Sequence, residues 1–132
     1  MKVLLSIKPE FALKIFEGTK KYEFRKSIFK RDDVKTVVVY ASSPMQQVIG
    51  EFEIEKILCK EVESLWQITQ KFAGINKDFY DEYFVNREKA FAIQVGKIHK
   101  FSIPKQLSDY NIDYAPQSFA YLNDEILKVI EN

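Results

Sequence analysis

The chain has 132 residues and a mass of 15.5 kDa, which fits one domain with a single hydrophobic core. Its 20 Lys and Arg residues nearly balance its 19 Asp and Glu residues. This balance excludes a highly basic nucleic-acid-binding protein, so any anionic partner has to meet a local basic patch. The single Cys and the single His exclude an internal disulfide and a Cys- or His-rich metal site, and we expect no metal and no cofactor.

The amino-terminal segment predicts a strand followed by a helix. Residues 3–7 alternate as a strand does, and Pro9 suits the first position of a helix. The helix is expected to end at Gly18, where a left-handed cap is needed. An apolar run of only three residues precedes Ser6, which predicts neither a signal peptide nor a membrane span. We therefore expect a cytoplasmic protein with no membrane partner.

The middle of the chain predicts further strands and two more helices. Strands are expected at 21–25, 36–41, 48–57 and 89–101. Gly50 indicates a bulge or a close approach to the backbone. Ser64 begins a capping-box pattern for one helix, and Asn76 can cap the next. We assign four aromatic residues of that next helix to the core because their spacing is helical: Phe79, Tyr80, Tyr83 and Phe84.

The order of these elements predicts an α+β protein. No linker, repeat or low-complexity tract is visible, so we expect a single domain over residues 1–132. The strands are short and of antiparallel character, with helices inserted between them, which favours a small sheet that is either open or closed. A terminal helix is predicted after Asn123, over about 124–131.

The segment 18–25 concentrates unlike charges. In a strand over 21–25, Lys21, Glu23 and Arg25 share one face, and Lys20 in the preceding turn can reach the same side. A face with an acid and several bases can hydrogen-bond a ligand that offers both donors and acceptors. The alternative is a solvated face on which Glu23 and Arg25 pair at the surface.

A basic patch surrounds this strand. Its six members fall within twelve positions: Lys20, Lys21, Arg25, Lys26, Lys30 and Arg31. The segment 26–35 lacks periodicity, so we expect a mobile loop that is either a binding element or merely solvated. Lys20 is also the best candidate for a lysine made neutral by burial, which could act as a base or nucleophile, although Glu23 beside it favours the charged form.

The ordered set of motifs resembles the ASCH domain family. The resemblance rests on Ser6-Ile7-Lys8-Pro9, then Gly18-x-Lys20-x-x-Glu23-x-Arg25, Tyr40-Ala41-Ser42-Ser43-Pro44, Val48-Ile49-Gly50-Glu51 and Pro116-Gln117-Ser118-Phe119. It covers about residues 3–122, and the ordered set is more specific than any single motif.

The resemblance implies a small PUA-like β-barrel of about five to six mostly antiparallel strands, with helices packed on its outside. It also implies a cleft beside the first helix that binds RNA or a modified nucleoside or nucleotide. The site residues carried over are Lys8, Lys20, Glu23, Arg25, Ser42, Ser43, Gln117 and Ser118. The serine loop is expected to face the charged strand. Arg and Lys suit phosphate or base acceptors, and Glu suits a base amino group.

One branch of the family hydrolyses an acetylated cytidine with a lysine, a threonine and a glutamate. Lys20 matches the lysine, but Glu23 occupies the threonine position, and the segment 67–75, where the glutamate is expected, contains no carboxylate. We therefore expect binding without chemistry. The alternative is a metal-independent amidohydrolase that deacylates N4-acylated cytidines, with Lys20 as its central catalytic residue. A regulatory protein with an aromatic contact surface is a third possibility.

Overall fold

A computed structural model describes residues 1–123, so the helix predicted over about 124–131 lies outside the described residues. The elements in chain order are β1 (Lys2–Ile7), α1 (Pro9–Glu17), β2 (Tyr22–Arg25), β3 (Thr36–Ala41), β4 (Gln47–Glu61), α2 (Val62–Thr69), α3 (Lys77–Tyr83), β5 (Lys89–Lys105) and β6 (Phe119–Leu122). Short 3-10 helices follow α2 at Gln70–Phe72 and β5 at Leu107–Tyr110. Within residues 1–123, no helix is long and apolar enough to cross a membrane.

The strands form one mixed sheet with the order β2-β5-β4-β3-β1-β6. Within residues 1–123, β1 and β3 pair in parallel, while the other four ladders are antiparallel. This confirms the α+β class, the strand number and the mostly antiparallel pairing. Among the described residues no ladder joins the edge strand β2 to β1 or β6, so the closure of the sheet into a barrel stays a prediction.

The centre of the sheet is buried on both faces. In β1, Val3 and Leu5 pack into one cluster with Ile15 of α1, while Leu4 packs into another with Tyr110. Strand β3 is buried at every position after Thr36, as its β-branched sequence predicts. A third cluster lies under α2 and α3 and includes Phe24, Leu65, Tyr80 and Phe84.

The ends of the helices follow the expected signals in two cases out of three. Pro9 opens α1 and Gly18 closes it with φ of 88°, and the Asn76 side chain caps α3 by accepting from the Phe79 amide at 2.8 Å. The capping box at Ser64 is wrong, because α2 begins at Val62. There the Val62 amide donates to the Glu88 carbonyl at 3.2 Å, so pairing between the strand ends sets the start of the helix.

Gly50 lets α1 approach the sheet. A Cβ at this position would lie 2.6 Å from the His99 carbonyl oxygen and 2.7 Å from the Phe16 ring, so only a glycine fits without a shift. The β4–β5 register also shifts between Val48 and Gly50. Both expected roles of this glycine are therefore confirmed, and the contact holds α1 close against the sheet.

Candidate functional site

A cleft of about 290 Å³ opens between the end of β1, α1, β2 and α3. Five of the residues expected at the site line it: Lys8, Lys20, Glu23, Arg25 and Gln117. Lys8 and Gln117 are exposed at its rim, whereas Lys20 and Glu23 are buried. We call this the charged cleft.

Lys20 is a buried lysine whose ammonium group lies among aromatic rings. Its side chain is 1% exposed, and Nζ donates to the Ala73 carbonyl at 2.7 Å. Nζ also lies 4.9 Å from the centre of the Phe24 ring and 5.4 Å from that of Phe11. Burial lowers the pKa of Lys20 to about 8, because it penalises the charged form more than Glu23 favours it.

The turn 72–74 packs against Lys20 and accepts hydrogen bonds from two other lysines. Phe72 accepts from the Lys21 amide at 2.9 Å, and Gly74 accepts from Lys14 Nζ at 3.2 Å. Gly74 has φ of 70°, and a Cβ there would lie 2.6 Å from Cβ and Cγ of Lys20. Within the segment where the sequence lacks a carboxylate, the partner of Lys20 is therefore a carbonyl, which can accept a hydrogen bond but cannot take up a proton.

Glu23 and Arg25 form the other half of the charged set. Arg25 Nη1 lies 3.4 Å from Glu23 Oε2 and donates at 3.4 Å to the Ser6 carbonyl, while Nη2 donates to the Ser118 carbonyl at 2.7 Å. The guanidinium thus connects β2 at one edge of the sheet to β1 and the residue before β6 at the other. Burial raises the pKa of Glu23, against the opposing influence of Lys20 and Arg25.

The burial of this strand face decides between its two interpretations. Glu23 is 6% exposed and the Arg25 side chain 14%, so their pair is not a surface ion pair. Lys21 is the exception, since it is exposed and its Nζ lies 4.4 Å from the centre of the Phe72 ring. The solvated alternative is therefore wrong for Lys20, Glu23 and Arg25.

The aromatic residues of α3 divide between the core and the cleft. Tyr80 and Phe84 are buried in the core, as expected. Phe79 and Tyr83 are half-buried and line the cleft. Tyr83 also packs against the third core cluster, so its assignment to the core holds in part, whereas that of Phe79 is wrong. The helix turns 100° per residue, so 79 and 83 form one stripe and 80 and 84 an adjacent one. These two adjacent stripes are the sequence signal that separates the residues on the cleft from those in the core.

The cleft also has an aromatic wall from α1. Phe11 meets Phe79 edge to face at 5.1 Å between ring centres, and Lys8 Nζ lies 5.0 Å from the centre of the Phe79 ring. Burial raises the pKa of Tyr83. Apolar walls above a floor of one acid and two bases suit a flat ring with a polar edge.

The serines of the expected site lie elsewhere. Ser42 and Ser43 line a second pocket of about 690 Å³, and Ser118 lines neither pocket but offers its carbonyl to Arg25. The structure thus does not bring the serine loop to the charged strand. The segment around Pro116 comes between them, because the Pro116 carbonyl accepts from Ser6 Oγ at 3.0 Å.

The loop 26–35 does not line the cleft. Phe29 and Val34 are each 6% exposed and belong to the main core cluster. The Lys30 amide donates at 3.2 Å to Tyr121 Oη, which holds the loop against β6. Two apolar side chains thus anchor the loop in the core, and the loop contributes no residue to the cleft.

Comparison with known proteins gives concordant matches. The family model described as the ASCH domain matches residues 5–99. A Zymomonas mobilis protein named ASCH domain-containing ribonuclease is 32% identical over 126 residues, 92% of this chain and 84% of that protein. The crystal structure of ASCH from Zymomonas mobilis superposes with a TM-score of 0.90 at 28% identity, covering 98% of this chain and 93% of that chain.

A further relative is considerably longer. A Ureaplasma parvum protein named large ribosomal subunit protein uL22 is 32% identical over 120 residues, which is 91% of this chain. The match covers 39% of that protein, so the chain spans about two fifths of its length. The name of that protein therefore refers to a longer chain, of which the matched region is only a part.

Proposed function

This chain belongs to the ASCH domain family, and we propose that it binds RNA or a modified nucleoside by holding one base in the charged cleft. The observation that carries the proposal is the buried set of Lys20, Glu23 and Arg25 in a cleft walled by Phe79 and Tyr83. The related Zymomonas mobilis protein is named a ribonuclease, which supports an RNA-related role.

The chemistry of the cleft suits a base. Lys20 and Arg25 donate hydrogen bonds and Glu23 accepts them, which complements the mixed edge of a nucleobase. Aromatic walls contribute stacking that is worth about 1–3 kcal/mol per base in single-strand binding. A cleft of about 290 Å³ accommodates a single unstacked base and excludes a duplex. Lys8 is exposed at the rim, where its ammonium group can bind a phosphate.

Binding of short RNAs and free nucleosides, measured by calorimetry, tests the proposal. We expect Arg25→Ala to weaken binding strongly, and Glu23→Gln to weaken most the bases that carry an amino group. Lys60→Ala is the control, since Lys60 is exposed on β4 and lines neither pocket. Equally weak binding by wild type and Arg25→Ala would overturn the proposal.

A second candidate is deacylation of N4-acylated cytidines, as the resemblance implies. The observation in its favour is the pKa of Lys20, which at about 8 leaves a neutral fraction able to act as a base near neutral pH. Deacylation followed between about pH 6 and pH 9 tests it. Turnover no greater than that of Lys20→Ala rules this candidate out and leaves the binding proposal intact.

A further inference from the structure

The second pocket is larger than the charged cleft and differs from it in chemistry. It lies where the turn after β3 meets the chain after β5. Its polar groups are hydroxyls, amides and one carboxylate: Ser42, Ser43, Gln46, Gln106, Ser108 and Asp113. None of the described residues that line it is Lys or Arg.

Such a lining selects neutral, hydroxyl-rich ligand groups. Gln46 Nε2 already donates to Ser43 Oγ at 3.0 Å, and the Gln106 side chain caps the 3-10 helix. The remaining hydroxyls and the Asp113 carboxylate can bind a ribose or a base edge, whereas a phosphate would meet no cation and one like charge. Tyr114 stands at the mouth with 80% of its surface exposed and can stack on a base.

The two pockets share a wall. The Ser42 amide of the second pocket donates at 2.9 Å to the carbonyl of Ile7, which lines the cleft. On the opposite side, Ala115 lines the second pocket and Gln117 lines the cleft. Two residues of chain span at most about 7 Å, so the pockets open on either side of a narrow ridge.

We propose that the second pocket binds the nucleotide next to the one held in the charged cleft, on the same single RNA strand. This inference rests on the proposed function. It makes the preferred ligand an RNA strand and not a free nucleoside. The ridge at Pro116 separates the two bases, and the second pocket, which has no described Lys or Arg, binds ribose and base while the cleft supplies the positive charge.

Binding of nucleosides and of short homo-oligoribonucleotides of the same bases tests the proposal. We expect wild type to bind the oligomers more tightly, and Tyr114→Ala to weaken oligomer binding roughly tenfold while nucleoside binding is unchanged. The exposure of Tyr114 makes this variant safe for folding. Ile103→Ala is the matched control, since Ile103 is 79% exposed and lines neither pocket.

The outcomes separate this inference from the function on which it rests. Oligomer binding by Tyr114→Ala that equals wild type, while Arg25→Ala weakens both ligands, overturns the second subsite and keeps the cleft. Equal affinity of wild type for nucleoside and oligomer also overturns the second subsite and keeps the cleft. Absence of binding to any of these ligands by wild type overturns both. A Ser42→Ala loss seen with oligoribonucleotides and absent with the matching deoxy-oligomers supports a ribose contact.

Discussion

The charged cleft and the second pocket lie on either side of the segment 115–117 but differ in the charge and the burial of the side chains that line them. The cleft buries two of its four charged side chains almost completely, Lys20 and Glu23. The second pocket is lined by hydroxyls, amides and one carboxylate, and Tyr114 at its mouth is largely exposed. Buried charges cost folding free energy, while exposed hydroxyls cost little. The cleft therefore carries the stronger indication of function, because buried charges with perturbed pKa values cluster at functional sites.

The direction of the pKa changes supports this contrast. Burial lowers the pKa of Lys20 and raises that of Glu23. Burial therefore disfavours the charged form of each group, despite the attraction between the two charges. Replacing a buried ionic set by apolar residues is often stabilising, whereas removing one member is not. The experiments below disturb the set one member at a time.

Arg25→Ala is expected to have the largest effect on stability. It leaves the Glu23 carboxylate buried without its nearest cation and removes a donor from each of two carbonyls, so the free energy of unfolding should fall by about 4 kcal/mol. Urea unfolding measures this change in the free energy of unfolding. Arg31→Ala is the control: Arg31 Nη2 lies 2.7 Å from Asp33 Oδ2, but both side chains are about half exposed, 50% and 51%. An equal shift of the urea midpoint in both variants would contradict the contrast between buried and exposed pairs.

Lys20→Met should remove a pH dependence of stability. In the unfolded chain the lysine titrates near 10.5 and in the fold at about 8, so between these values the unfolded state binds more protons. Wild type should therefore gain stability as the pH rises from about 8 to about 10.5, by an amount on the order of 3 kcal/mol. Unfolding followed across this pH range should show no such gain in Lys20→Met.

The neighbouring lysine provides the control for this titration. Lys21→Met removes an exposed lysine and should keep the gain in stability, since Lys20 is untouched. If the gain in stability disappears in Lys21→Met and persists in Lys20→Met, the titrating group is not Lys20.

Gly74→Ala should disturb the position of Lys20. The new Cβ would lie 2.6 Å from the lysine stem at a backbone φ of 70°, so we expect a loss of about 2 kcal/mol together with weaker ligand binding. Gly18→Ala is the matched control, because Gly18 has φ of 88° but no atom within 4 Å of its Cβ position. It should cost about 1 kcal/mol of stability and leave binding unchanged. Equal binding by the two variants would show that the turn does not position the lysine.

The smallest expected effect concerns salt. The logarithm of the RNA-binding constant falls linearly with the logarithm of the salt concentration. If the cleft alone supplies positive charge, Lys8→Met should reduce the steepness of this fall by about 0.7 for a single strand. Tyr114→Ala should weaken the affinity for the RNA oligomers without changing this slope, because no described lining residue of the second pocket is cationic. Titrations at several salt concentrations measure both slopes. A lower slope in Tyr114→Ala would mean that phosphate is bound on that side as well.

The sequence by itself determined what depends on neighbouring residues. Pro9 and Gly18 mark the two ends of α1 through their own backbone preferences, and Asn76 caps α3. Alternation along β2 put Glu23 and Arg25 on one face, and the order of motifs indicated the family. In each case the relevant partner lies within a few residues, or the pattern reports the geometry of the element directly.

Tertiary structure decided what depends on residues far apart in the chain. The partner of Lys20 is the carbonyl of Ala73, a main-chain atom that every residue type carries and that no sequence pattern marks. Packing of α3 placed Phe79 on the cleft and Tyr80 in the core, although both belong to one aromatic run. The segment 115–117 lies between the two pockets, since Ala115 lines the one that contains the serine loop and Gln117 lines the charged cleft. Periodicity specifies which face of an element is apolar, but only long-range packing decides what that face meets.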